Sequence, residues 1–117
     1  MPEILMKMIL KASLVAALCC LAGTALAADS AALWDKHCAS CHAKDGSGNT
    51  RMGKKVGVKD YRDAKVQEAL KDDKAFKAIK EGLTEKGEEK MKPLGDKLTD
   101  AEIMELIKFL RSLKKAP

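Results

Sequence analysis

The chain has 117 residues, enough for one small domain, too few for a large core. Its formal net charge is +5, with 22 Lys and Arg against 17 Asp and Glu mixed along the sequence. That mixture is an ordinary solvated surface, which excludes a dedicated nucleic-acid-binding stripe and mildly favours acidic partners.

The first segment reads as a targeting sequence. Lys7 and Lys11 form a weakly basic start, 12–22 is a short apolar run, and Ala25-Leu26-Ala27 has the small-x-small pattern of a signal peptidase site. This order predicts a secretory signal peptide over 1–27, cleaved after Ala27, and hence export to the periplasm. Starting at Met6 or Met8 gives a more ordinary leader length. A retained membrane anchor is the alternative, but the apolar run is short of the ~20 residues a spanning helix needs. Lipidation at Cys19 or Cys20 is poorly served, because Leu18 and Cys19 are not the small residue expected before a lipidated cysteine. Without the leader's Lys7, Lys11 and Glu3, residues 28–117 carry +4. They are expected to form one monomeric domain with no stable membrane insertion.

A first helix is predicted from a cap at Asp29 or Ser30 to about Cys41, with Leu33 and Trp34 along one face. It runs into the most specific motif of the chain, Cys38-Ala39-Ser40-Cys41-His42. Two thiols three positions apart with an imidazole directly after the second read as a c-type haem attachment site. Cys38 and Cys41 would bond to the two vinyl groups and His42 would be an axial ligand to the iron. A disulfide between Cys38 and Cys41 is the plain alternative for an exported chain, and the adjacent His42 argues against it as the end state. A thiol–disulfide oxidoreductase normally sets such a motif near a βαβ pattern, and none is visible. Zinc would need adjacent Cys41 and His42 on one tetrahedral centre, an awkward pair.

Residues 44–57 read as a glycine-broken loop. A short helix is predicted over 63–70 with Val66, Ala69 and Leu70 inward. Another is predicted over 72–81, capped by Asp72, with Ala75, Phe76 and Ile79 inward and Gly82 after its end. Residues 84–96 read as loop, with no alternating strand pattern. The last helix is the clearest element. Thr99 and Glu102 form a capping box, Leu98 and Ile103 fit a hydrophobic staple, and Ile103, Leu106, Ile107, Leu110 and Leu113 recur at helical spacing.

A second axial ligand would decide the chemistry. His37 adjoins Cys38 on the proximal side and cannot reach the opposite face, and Met104 sits among helix core residues. Met52 and Met91 both fall in loops. Met91 is preferred because Pro93, Gly95 and a capped helix follow it closely. A thioether is soft and neutral, favours ferrous iron and raises the potential, and a second ligand leaves no open site for oxygen or peroxide.

Residues 28–117 resemble the small, soluble, monohaem class I c-type cytochromes. The resemblance rests on AALWDKHCASCH, the KDGSGN loop, KMKPLGDKLTDAE and ELIKFLRSL, in that order. It implies an all-α cytochrome c fold, with three to four helices around one covalently bound haem c and its iron. The first and last helices would cross, with Trp34 and Phe109 meeting there. It also implies Met91 as distal ligand and the exposed haem edge as electron port. The expected function is a non-enzymatic one-electron carrier between redox proteins with acidic docking surfaces, steered by lysines such as Lys90 and Lys92. A haem enzyme or gas sensor with a labile sixth ligand is the alternative.

Three positions depart from the pattern. Ser30 stands where many members have a glycine at the helix contact. Lys92 separates Met91 from Pro93. No proline lies between His42 and Pro93, so a carbonyl of the Gly48–Gly57 loop is expected to accept the His42 ring N–H.

Overall fold

The computed structural model describes residues 29–116, so the expected leader and its cleavage site lie outside the described residues. The four expected helices all form. The first is broken at Cys38 into α1 (29–37) and α2 (Ala39–His42). Then come α3 (Arg51–Val56), α4 (Ala64–Ala69), α5 (Asp72–Glu81) and α6 (Asp100–Ser112). Between α5 and α6 lies an antiparallel hairpin, β1 (Leu83–Glu85) and β2 (Glu88–Met91). Among the described residues no helix is long and apolar enough to cross a membrane.

The core is aliphatic and small. Ile103, Leu106, Ile107 and Leu110 of α6 pack with Trp34 and Cys38, with Ala75 and Ile79 of α5, and with Leu94 and Leu98. The capping box of α6 forms in both directions: Thr99 accepts from the Glu102 amide, and the Glu102 carboxylate accepts from the Thr99 amide. Leu98, the staple residue, is buried. Helices α1 and α6 meet through Trp34 and Phe109, whose ring centroids are 5.4 Å apart. Ser30 is buried, as a small residue at a helix contact should be.

Four local readings of the sequence are corrected. The 44–57 loop contains α3, whose N-cap Thr50 accepts from the Gly53 amide and whose C-cap is the left-handed Gly57. The short α3 has no apolar stripe because its buried residue is a glycine. The 84–96 loop contains the hairpin, whose turn residues Lys86 and Gly87 both have positive φ, at 51° and 79°. Two consecutive positive φ values suit a tight two-residue turn. Four of the seven strand residues are charged, which left no apolar alternation to read. In α4 the inward residue is Gln67, while Ala69 is exposed. The N-cap of α5 is Lys71 rather than Asp72, without a side-chain cap.

Candidate functional site

Cys38, Cys41 and His42 occupy a single helical turn. The Cys38 carbonyl accepts from the amides of both Cys41, at 3.2 Å, and His42, at 2.9 Å. Both cysteines are free thiols, so the disulfide alternative is not formed. Cys38 is buried and Cys41 is half-buried. Burial pushes the Cys38 thiol up to about 12, with a smaller push from Cys41, so Cys38 is protonated at neutral pH.

The turn is held from below by α3. Thr50 donates its hydroxyl to the Cys41 carbonyl at 2.7 Å, and Gly48 donates its amide to the His42 carbonyl at 2.8 Å. Gly53 packs so closely that a Cβ would overlap the Cys41 carbonyl oxygen and lie 2.8 Å from Thr50 Oγ1. After His42 the backbone turns through Ala43 at φ 65°, an unusual value for a residue with a Cβ. Two bonds hold it there: its amide reaches the Ala39 carbonyl, and its carbonyl accepts from Trp34 Nε1 at 2.9 Å.

His42 is flanked by two aromatic rings. Trp34 lies 5.7 Å away and Tyr61 5.5 Å away, both tilted against the imidazole. Desolvation lowers the His42 pKa, so the ring is neutral at pH 7 and keeps a nitrogen lone pair for a metal. Its Nδ1 is buried without a hydrogen-bond partner, and no other side-chain polar atom among the described residues is left so. This corrects the expectation that a carbonyl of the Gly48–Gly57 loop accepts the ring N–H. The nearby carbonyls are used elsewhere: His42's own by Gly48, Gly48's by Thr50, Ala43's by Trp34. An unsatisfied buried polar atom costs about 1–3 kcal/mol.

Met91 ends β2, opposite Leu83 in register, and is half-buried against the cluster that contains Cys38. Its surroundings are stiff. The amides of Leu94 and Gly95 bind the α5 carbonyls of Ile79, at 2.8 Å, and Lys80, at 3.1 Å. Gly82, at φ 79°, sits against the same segment, where a Cβ would lie 2.8 Å from the Met91 carbonyl oxygen and 2.9 Å from Pro93 N. Met52 on α3 is 49% exposed and Met104 on α6 is 44% exposed, so neither packs as Met91 does.

This donor set fits a c-type haem: two unpaired thiols one turn apart, a neutral imidazole beside the second, and a half-buried thioether on the same apolar cluster. Thr50 and Gly53 are supporting residues that sequence reasoning missed, and Tyr61 is one that the sequence could not place. A Thr-x-x-Gly cap, starting eight positions after His42, was the one local signal for Thr50 and Gly53.

Residues 25–110 match the family model described as cytochrome C oxidase, cbb3-type, subunit III. Among solved structures the chain is similar to the KustC0563 c-type cytochrome, with 32% identity and a TM-score of 0.66, over 74% of this chain and 98% of that one. It is similar to a tyrosine-to-phenylalanine mutant of Kustc0563 at 32% identity and a TM-score of 0.65, over 74% of this chain and 99% of that one. Comparison with curated proteins gave no match.

Proposed function

The chain belongs to the c-type cytochromes, in the family described from the cbb3-type oxidase subunit III, and from that membership we propose a periplasmic one-electron carrier with His42 and Met91 as axial ligands. Cys38 and Cys41 would hold the haem covalently. Haem c bound here supplies a ferric–ferrous couple. The chain's own residues set how that couple behaves. Trp34 and Tyr61 restrain the His42 imidazole, and Gly82 with the α5 end restrains Met91. Ligands restrained in this way need little rearrangement when the charge of the centre changes. A soft thioether favours the reduced state, and a filled sixth position leaves no place for a substrate.

One observation carries this reading. A neutral, half-buried His42 shares its helical turn with two unpaired thiols, and Met91 packs on the cluster that contains Cys38.

The partner surface is proposed as acidic. Arg51, Lys54 and Lys55 share one face of α3 at i, i+3 and i+4 spacing, with Lys59 just beyond. All four are exposed, and none forms an ion pair among the described residues. Lys90, by contrast, is bonded to Glu88 at 2.9 Å on a hairpin that also carries Glu85 and Glu89. The α3 face is therefore a better steering surface than the Lys90 and Lys92 pair.

The test is purification from a host able to mature c-type haem, followed by a pyridine haemochrome spectrum and a ferric spectrum of Met91→Ala. One covalent haem and loss of the sulfur-to-iron charge-transfer band are expected. Survival of that band in Met91→Ala rules Met91 out as ligand.

A further inference from the structure

Tyr61 lies against His42, and its own backbone is fixed at both ends. Its amide donates to the Gly46 carbonyl at 2.8 Å, and its carbonyl accepts from Gln67 Nε2 at 2.7 Å. Gln67 is 6% exposed, which is unusual for an amide side chain, and every part of it is used. Its second Nε2 hydrogen goes to the Leu110 carbonyl at 2.8 Å, and its Oε1 accepts from Arg111 at 3.1 Å. Arg111 also grips the Gln67 and Leu70 carbonyls and forks onto Asp72 at 2.7 and 3.0 Å. One buried amide thus ties α4 and α6 to the residue that walls His42.

The geometry points to Gln67, held by Arg111, as a positioning residue for the His42 imidazole, acting through Tyr61. The His42 Nδ1 has no hydrogen bond to orient it, so the flanking rings do that work. Trp34 is anchored through Ala43 on one side, and Tyr61 is anchored through Gln67 on the other. Gln67 and Arg111 also line an open cleft of about 410 Å3 with Ala64, Glu68 and Lys114, so solvent reaches their outer side. Loosening Gln67 admits water toward Tyr61 and Nδ1. A water accepting from Nδ1–H makes the imidazole more basic, and a wetter site favours the more highly charged ferric state, so both effects lower the potential. This inference rests on the haem reading of His42.

The test compares Gln67→Leu, Arg111→Lys and Asp72→Asn with wild type, each first shown to carry one covalent haem by pyridine haemochrome. Gln67→Leu removes both amide donors at similar volume. Its midpoint potential should fall, and exchange of the His42 Nδ1 proton into deuterated solvent, read by NMR, should quicken about tenfold or more, as loss of ~1.4 kcal/mol of protection implies. Arg111→Lys loses the forked grip and should shift both readouts the same way. Asp72→Asn leaves Gln67 bonded to Tyr61 and should lower Tm without moving either readout. A haem-loaded Gln67→Leu with wild-type potential and exchange overturns the inference. So does an Asp72→Asn shift equal to that of Gln67→Leu. If Gln67→Leu does not fold, Arg111→Lys decides on the same two readouts. A wild-type chain with no covalent haem defeats the haem reading instead, before any variant is compared.

Discussion

Gly53 has no room for a side chain, because Thr50, Gly48 and the Cys41 carbonyl already fill its surroundings. Gly53→Ala forces an extra methyl into this contact, and such overpacking typically costs about 1–3 kcal/mol. It should lower Tm and the yield of covalently attached haem together, because the displaced group is the Cys41 turn itself. Unchanged haem yield would mean that α3 does not position the attachment turn. A second residue-scale effect concerns acid. Hydrogen bonds from Arg62 hold the Asp60 carboxyl below its ordinary value, aided by the Arg62 charge. A depressed carboxyl contributes stability above its unfolded pKa and loses it as pH falls through the folded one. Arg62→Met should therefore move the acid-unfolding midpoint upward, modestly because the pair is exposed. Acid titration followed by circular dichroism reads this directly, and an unchanged midpoint removes the pair from the acid response. At this scale the turn proposed to attach haem stood out in the sequence because Cys38, Cys41 and His42 lie within one five-residue run. Tyr61 did not, because the bond between its amide and the Gly46 carbonyl is what returns it to His42 across a loop with no periodicity.

The hairpin and α5 jointly set Met91. Gly82 combines φ 79° with ψ 176°, a backbone region essentially restricted to glycine. Gly82→Ala should cost about 1–3 kcal/mol in strain and push on the Met91 carbonyl. The expected signature is a weakened sulfur-to-iron band with His42 ligation intact; an unchanged band would mean that Met91 takes its position from elsewhere. Helix α6 offers a purely structural contrast. Thr99→Ala removes one side of the capping box and should cost ~0.5–2 kcal/mol in thermal or chemical unfolding without altering the spectrum. A spectral change there would link the α6 start to the site. The difference between these elements explains what could be read in advance. Helix α6 announces itself through its cap and five apolar positions at helical spacing. Helix α3 is six residues long with a glycine as its buried residue, and the hairpin strands carry mostly charged residues. Pattern reading needs a buried apolar face, and neither element has one.

As a whole the molecule has a core of about one helix face per neighbour, few aromatics and a charged exterior. Domains of this size commonly need a cofactor or cross-link to stay folded. A Cys38→Ser, Cys41→Ser double variant should lose covalent haem and most of its far-UV helical signal at 25 °C; a cooperative, fully helical haem-free chain would show that the side chains suffice. The last helix was legible from its own pattern, whereas the crossing of Trp34 and Phe109 was expected only from the resemblance to c-type cytochromes, and the fold brings the two rings together. The charge environment was less legible: the sequence shows lysines near Met91, but only the fold reveals that Lys90 is engaged by Glu88 while, among the described residues, Arg51, Lys54 and Lys55 of α3 form no ion pair. The proposed haem has both axial positions filled by this chain, by His42 and Met91. Carbon monoxide titration of the reduced, haem-loaded wild type at neutral pH is the decisive measurement. No appreciable complex is expected in the wild type, and ready binding is expected in Met91→Ala. Rapid, stoichiometric binding by the wild type would contradict this ligation.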